Sequence, residues 1–348
     1  MQAYVINGVN DLQLKNVNIP ELGLGEVLVR VMACGICGSD VPRIYKTGAH
    51  VHPLIPGHEF AGEVVSLGAE ADENWLGKRV GVFPLIPCGE CGPCTNKQYE
   101  MCRNYSYLGS RRDGGFAEYV AVPQENLIEL PKEVSFEVAA MLEPMAVAVH
   151  AMRGIGVGVT DAVAVCGMGT IGLLLLMFLQ EMGVTNIYVI GSKESQKKMA
   201  VLAGVGVEDF CDTNSCDCEK WLAEKTAGRG VDVFFECVGK NETILQAINM
   251  TIPGGRVMLV GNPYSDMMLD KAIYWKILRN QLTLRGTWNS SFTHEENDDW
   301  HYVLQRLEEN EICPDKLISH RFSLSGLEKG LEIMRDKLED YVKIMVSF

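Results

Sequence analysis

The chain has 348 residues, 31 basic and 45 acidic, with a formal net charge of −14; 47% are hydrophobic and 22% charged. That length exceeds one small core and predicts two domains, and the apolar-to-charged balance is that of a globular chain. A surface this acidic repels phosphate backbones and anionic lipid, which excludes nucleic acid and membrane as expected partners but leaves room for a local basic pocket.

The first stretch, MQAYVINGVN, has no basic start and no apolar segment of the secretory kind. The longest apolar run, Ile171 to Leu179, is broken by Gly172 and is too short to span a bilayer. A cytoplasmic location is expected, where the 12 cysteines would be thiols or metal ligands rather than disulfides.

In chain order, EVLVRVMAC, GEVVSLG, KRVGVFP and FAEYVAVP read as strands of a barrel-like unit. Beyond residue 152 strand and helix alternate. DAVAVCG is a strand, GTIGLLLLMFLQEMG a helix, NIYVIG a strand and KESQKKMAVLAG a helix. VDVFFECVG is a strand, NETILQAINMTIPGG a helix ending at glycines, RVMLVG a strand and QLTLRGTW the last strand. That alternation predicts a parallel, doubly wound sheet. The fold class is therefore α/β with a β-barrel. Residues 1–152 and 287–348 are expected in one domain and 153–286 in the other.

CGMGTIG places Gly167, Gly169 and Gly172 in the G-x-G-x-x-G pattern, directly after a strand and at the start of a helix. In that context the glycines serve a tight turn, the approach of a pyrophosphate and helix–strand packing, with the anion on the helix N-terminus. Such sites usually carry an acid about 20 residues on for the ribose hydroxyls. Here the second strand ends in Gly191, Ser192 and Lys193, with no acid until Glu194. A glycine leaves room there, and a serine and a lysine can bind a 2′-phosphate, so NADP is expected over NAD. NAD remains possible if Glu194 takes the ribose.

Cys88, Cys91, Cys94 and Cys102 crowd into fifteen residues at spacings x2, x2 and x7. Four thiolates so close can close a tetrahedral zinc site with no open position, which makes it structural. A catalytic zinc wants about three protein ligands. Cys37 of CGICGSD, His58 of PGHEFAG and one or both of Glu59 and Glu143 would meet that need. Cys34 and Cys37 also make a C-x-x-C that imitates a redox pair. His150, Cys166 and Cys237 read as core residues, and Cys211, Cys216 and Cys218 as ordinary thiols.

The order of CGICGSD, PGHEFAGEV, the four-cysteine lobe, GGFAEY, LEPMAVAVHA and GMGTIG resembles the zinc-dependent medium-chain alcohol and polyol dehydrogenases over essentially the whole chain. The glutamate of LEP stands where the alcohol dehydrogenases have a cysteine, which is the polyol pattern. The resemblance implies a GroES-like catalytic barrel and a Rossmann domain, two zinc ions per chain, and a catalytic ion on Cys37, His58 and Glu143 with Glu59 as direct or alternate ligand. Ser39 would take a hydrogen bond from the substrate hydroxyl, zinc would act on that hydroxyl as a Lewis acid, and hydride would pass to the nicotinamide. Cofactor residues would be Gly167, Gly169, Thr170, Ile171, Gly172, Ser192, Lys193, Lys197, Val238, Val260 and Gly261.

The chain departs from many relatives at Pro42, where they carry a proton-relaying histidine, so the proton from Ser39 needs water or His50. Arg43 follows where an aromatic contact is usual; it and the Arg111/Arg112 pair are candidate phosphate contacts. The expected substrate is a polyol or polyol phosphate, with a short-chain secondary alcohol or diol, or a non-catalytic sensor, as alternatives. A homodimer or homotetramer is expected through YSDMMLDKAIYW, whose Met267, Met268 and Leu269 would be an exposed apolar edge in a monomer.

Overall fold

The computed structural model describes residues 1–202, 209–263 and 265–348. Ala203 and Gly204, expected at a helix end, and Tyr264 of the expected contact segment lie outside the described residues. The chain divides into two compact units, Met1–Pro144 with Ser291–Phe348, and Met145–Ser290.

The first unit opens with a hairpin, β1 (Gln2–Gly8) and β2 (Asp11–Asn16). The long β3 (Glu26–Ile36) leads into the short helix α1 (Asp40–Pro42), followed by β4 (Glu59–Leu67) and β5 (Arg79–Val82). A small lobe holds β6 (Leu85–Ile86), α2 (Gly92–Thr95) and β7 (Ser106–Tyr107), before β8 (Tyr119–Pro123), β9 (Leu127–Glu129) and α3 (Phe136–Ala139). Helix α4 (Leu142–Ile155) begins here; Pro144 fits its first turn, where the missing N–H would have no helical partner.

The second unit alternates strand and helix: β10 (Ala162–Cys166), α5 (Thr170–Glu181), β11 (Asn186–Gly191), α6 (Glu194–Leu202), β12 (Phe210–Asp212), α7 (Cys218–Lys225), β13 (Val231–Glu236), α8 (Asn241–Met250), β14 (Thr251–Leu259), α9 (Lys271–Asn280) and β15 (Thr283–Gly286). The chain then returns to the first unit with α10 (Asp299–Glu308), β16 (Ile318–Ser323), α11 (Leu327–Asp336) and β17 (Lys343–Ser347).

In the second unit the sheet order is β12-β11-β10-β13-β14-β15 and every pairing is parallel. This is the doubly wound order whose direction reverses beside the first strand, so a crevice opens at the carboxyl ends of β10 and β13. The strands are apolar on both faces, as covered parallel strands must be, with Ala164, Ile190, Phe234 and Val257 in the core. The helix expected across NETILQAINMTIPGG stops at Met250. Ile252 precedes Pro253, which disfavours helix there, and Gly254 takes φ +76°. The segment instead opens β14 with a bulge, where Val231 faces Thr251 but Val233 faces Arg256.

The first unit closes a mostly antiparallel sheet, β16-β17-β3-β4-β5-β9, with β8 also on β3. Val27, Val29 and Val31 alternate inward along β3 and meet Val80, Val120 and Val346. The returning segment packs its Trp300 and Phe292 against Phe83, with ring centroids 5.4 and 5.1 Å away.

One turn sets up the site. Gly57 has φ +95°, and a Cβ there would meet Cys34 Sγ and the Phe116 ring at 2.9 Å. The backbone of Gly114, Gly115 and Phe116 donates to Ile55, Gly57 and Pro56 at 2.8–2.9 Å. The PGHEF and GGFAEY motifs are thus two sides of one close backbone approach. Gly57→Ala should lower stability by about 2 kcal/mol, from left-handed strain plus overpacking. A chemical melt within a few tenths of wild type would contradict this account.

Candidate active site

Cys37 follows the end of β3, His58 immediately precedes β4, Glu59 begins it, and Glu143 sits in the first turn of α4. The ligand atoms of Cys37, His58 and Glu59 lie within 4.8 Å of one another. His58, Glu59 and Glu143 are buried. A thiol, an imidazole and a carboxylate are the donor set of a zinc site. Glu143 stands outside that triplet and accepts a hydrogen bond from Tyr107 Oη at 3.2 Å. Burial pushes the Glu143 carboxyl up to about 7.

The surroundings answer the buried charge. Asp40, fully buried, accepts from the Cys37 amide at 3.0 Å and from Arg43 Nη1 at 2.6 Å. Its Oδ1 lies 3.6 Å from His58 Nδ1. Burial alone would raise the Asp40 carboxyl, but His58 and Arg43 hold it below its usual range. Burial would likewise lower His58, yet Cys37 and Asp40 drive it well up. Lys343 Nζ pairs with Glu59 Oε2 and donates to Ile36 O at 3.1 Å; both side chains of the pair are 2% exposed. A Cβ on Gly35 would strike both members. Ser39 Oγ donates to Cys37 Sγ at 3.4 Å. Cys34 is buried in β3 with its thiol pKa pushed well up by burial, and it takes no part in the cluster.

The four cysteines of the lobe converge. Cys91 Sγ is 3.5 Å from Cys94 Sγ and 3.9 Å from Cys102 Sγ, Cys88 Sγ is 3.9 Å from Cys94 Sγ, and the Cys88 amide donates to Cys102 Sγ at 3.3 Å. Backbone N–H donors, that of Arg103 first, draw the Cys91 thiol down to about 6, while burial pushes Cys94 up to about 12. All four sulfurs lie within 4.8 Å of one another, a closed set.

In the second unit Gly169 caps α5 with no side-chain cap, and a Cβ there would meet nothing within 4 Å. Thr170 and Ile171 form the helix's first turn. Gly167 takes φ +100° and faces Val238, whose Cγ2 would lie 2.7 Å from a Cβ. Gly172 packs against the Gly167 carbonyl. Buried Glu236, which sequence reasoning missed, accepts from the amides of Val238 and Gly239 at 2.8 and 2.9 Å, and its own carbonyl accepts from Val260 and Gly261 at 2.9 Å. The loop glycines, Val238, Val260 and Gly261 therefore gather at the crevice. Ser192 and Lys193 are exposed after β11, and Lys197 is half-buried on α6. Gly191 does not leave nucleotide room: its missing Cβ faces the Phe210 ring at 2.8 Å and Gln196 Oε1 at 3.0 Å.

Residues 23–132 match the alcohol dehydrogenase GroES-like domain and residues 170–309 the zinc-binding dehydrogenase domain. Galactitol 1-phosphate 5-dehydrogenase of Escherichia coli K12 is 32% identical over 94% of each chain. L-idonate 5-dehydrogenase of Vitis vinifera is 33% identical over 93% of this chain and 88% of its own. A zinc-binding dehydrogenase of Sinorhizobium meliloti 1021 bound to NADP superposes with a TM-score of 0.91 at 29% identity, covering 100% of this chain and 99% of that one. The chain belongs to the zinc-dependent medium-chain dehydrogenase family. It is an oxidoreductase acting on CH–OH groups.

The dehydrogenase does not use its candidate arginines alike. Arg43 is paired with Asp40, and Arg112 with half-buried-to-buried Glu26, whereas exposed Arg111 lies over the Tyr105 ring at 4.8 Å. Arg111 and Arg112 therefore do not form one fork. Asp40 could have been found from its place three residues after Cys37. Lys343 stands 284 residues from Glu59 and carries no local signal. Lys343→Met should cost about 3–5 kcal/mol by stranding Glu59, and adding Glu59→Gln should recover much of that loss. Additive losses in a double-mutant cycle would show that the pair is not coupled.

Proposed function

We propose that this dehydrogenase oxidises a secondary hydroxyl of a polyol phosphate, with NADP as hydride acceptor, in the cytoplasm. The observation that carries the substrate class is the placing of two arginines near the proposed ligands: Arg43 bonds Asp40 beside His58, and Arg111 lies over Tyr105, whose ring meets that of Tyr107, the donor to Glu143. The His50 pKa is lowered by burial and then by the charges of Arg111 and Arg43, and Arg43 also acts on Tyr107 next to Glu143. Such a cluster favours a substrate that brings its own negative charge. Two relatives are named for a phosphate ester and a sugar acid, both anions, and two others for the neutral polyols erythritol or threitol and sorbitol. A neutral polyol or diol is the second reading, because Arg43 and Arg112 already have carboxylate partners.

Cys37, His58 and Glu143 would hold the catalytic zinc, and Cys88, Cys91, Cys94 and Cys102 the structural one. Glu59 is nearer to Cys37 and His58 than Glu143 is, but its charge is already met by Lys343, so we assign it the alternate role. When bound, zinc supplies a Lewis acid to the substrate hydroxyl and NADP supplies the hydride acceptor. The rest is done by the chain. Asp40 lies 3.6 Å from His58 Nδ1, beyond hydrogen-bond distance, and acts on the imidazole through its charge. Tyr107 fixes one oxygen of Glu143. Ser39 turns its oxygen from Cys37 to take the hydroxyl proton, and with Pro42 in place of a relay the proton leaves through water or His50.

NADP is favoured because β11 ends without a carboxylate to repel a 2′-phosphate, while Ser192 and Lys193 can bind one. Of two solved relatives with a TM-score of 0.91, one is bound to NADP and the other to NADH, so the preference rests on this chain's own residues. Wild type should prefer NADP by kcat/KM. Since position 191 is filled by Phe210, the reversal belongs one residue on: Ser192→Asp with Lys193→Ala should swing the NADP/NAD ratio by about a hundredfold, a few kcal/mol. A wild type that favours NAD tenfold sinks the reading.

Two zinc ions per chain should be found in freshly purified active protein. Glu143→Ala should abolish turnover and keep the fold, while Cys91→Ser should lower stability, because metal binding in a closed site is folding energy. One zinc or none in active protein refutes this.

A polyol phosphate should beat its unphosphorylated form, and Arg43→Ala should remove most of that ratio, an effect of about 2–5 kcal/mol for a buried charge-assisted bond. Equal rates on both compounds would move the assignment to a free polyol. We also assign a homodimer or homotetramer through the segment before α9: Met267, Met268 and Leu269 are exposed, as are Tyr274 and Trp275 on α9 and Trp288 just after the edge strand β15. Sedimentation showing monomer alone at working concentration would contradict it.

A further inference from the structure

Three thiols that the proposed chemistry leaves unused meet at the edge of the second unit's sheet. Cys211 lies on the edge strand β12, Cys218 opens α7, and Cys216 sits in the turn between them. Cys211 Sγ and Cys218 Sγ are 2.8 Å apart and both residues are buried, at 1% and 3% exposure. A disulfide is about 2.05 Å long, so closing one needs less than about 1 Å of approach. Cys216 is half-buried, and its thiol donates to the Asp217 carbonyl at 3.6 Å. Among the described residues the three sulfurs do not converge into a ligand set as the lobe's four do, which speaks for a bond rather than a metal.

The same short turn is tied to the end of β11. The Thr213 amide donates to Gly191 O at 2.8 Å, Asn214 Nδ2 donates to Ser192 O at 2.5 Å, and the Phe210 ring fills the space at Gly191. Residues on both sides of Cys211 therefore hold the strand end assigned to the ribose phosphate.

We propose that Cys211 and Cys218 are a redox-active dithiol that closes reversibly to a disulfide and thereby changes the hold of the 191–193 strand end on the dinucleotide. The second half of this rests on the NADP reading above; the first half does not. With hydrogen peroxide as oxidant, the Cys218 thiolate attacks one oxygen, giving a sulfenic acid and hydroxide. The Cys211 sulfur then attacks the Cys218 sulfur and water leaves, so that two thiols and one peroxide become one disulfide and two waters. A small dithiol reverses the bond by exchange. The 2.8 Å contact lowers the Cys218 thiol and raises that of Cys211, which makes Cys218 the better attacking sulfur of the two.

Trypsin releases residues 199–220 as one peptide that carries these three cysteines and no others. The holoenzyme is reduced, desalted, and treated with hydrogen peroxide at doses that leave its zinc content unchanged, then alkylated and digested. The expected peptide has lost two hydrogens, carries the alkyl label on Cys216 alone, and regains three labels after dithiothreitol. Three labels after peroxide, a sulfinic acid, or a bond that includes Cys216 would overturn the pairing. KM for whichever nucleotide the reduced enzyme prefers should shift about fivefold on oxidation. Cys218→Ala should show no shift, while Cys216→Ser should keep both bond and shift. A fully oxidised peptide with KM unchanged for NADP and NAD would overturn the coupling. The nucleotide preference of the reduced enzyme tests the NADP reading separately.

Discussion

Three carboxylates, Asp40, Glu59 and Glu143, are buried in one barrel around a thiol and an imidazole, and the first unit is organised by the need to balance them. An isolated buried carboxylate costs several kcal/mol and is tolerated only with a partner or by taking a proton. Each finds a different solution. Asp40 has Arg43 and His58. Glu59 has Lys343, brought from the last strand of the chain. Glu143 accepts from the neutral Tyr107, and burial pushes its carboxyl up to about 7 despite the charges of His58 and Lys343. Among the described residues Glu143 is the one of the three without an ion pair, and the metal role proposed for it rests on that difference.

The same constraint explains why the segment after residue 290 returns to the barrel. β17 pairs with β3 so that Ile344 faces Ile36 and Met345 faces Gly35. That register puts Lys343 one step beyond Ile36, whose carbonyl it bonds, and over Gly35, where only a glycine leaves space for the Glu59–Lys343 pair. The buried ion pair and the strand pairing specify each other: a slip of one residue would turn Lys343 to the other face and leave Glu59 alone.

Much of this was legible in the sequence, and the limits are physical. Strands such as EVLVRVMAC and DAVAVCG were readable because apolar β-branched runs bounded by glycine have few other solutions. The parallel sheet followed from alternation, and the cysteine lobe from spacing. What spacing does not carry is pairing at long range. Lys343 is one lysine among many until the fold sets it on Glu59, and Glu236 looks like any strand-end acid until its carboxylate is found holding the amides of the loop beside the glycines. Arg111 and Arg112 read as a fork because they are adjacent, yet in an extended turn neighbouring side chains diverge, and one meets Tyr105 while the other meets Glu26.

Glycine is where sequence reasoning needs the structure most, because an absent Cβ reports a need for space but not its occupant. In the G-x-G-x-x-G loop, the space at Gly167 is taken by Val238 and that at Gly172 by the Gly167 carbonyl. Only at Gly169 is there nothing within 4 Å. Two of the three glycines therefore serve the protein's own packing, and one leaves an open approach to the α5 N-terminus, where unsatisfied amides favour an anion. Gly191 belongs with the first two: its space goes to Phe210, the residue before Cys211, rather than to a nucleotide. On the proposed reading, discrimination at that strand end comes from what Ser192 and Lys193 contribute and from how Thr213 and Asn214 hold the backbone, not from vacant volume. Under the proposed NADP assignment, Phe210 of β12 and the turn after it, though not nucleotide contacts, would then share in nucleotide choice through their hold on β11.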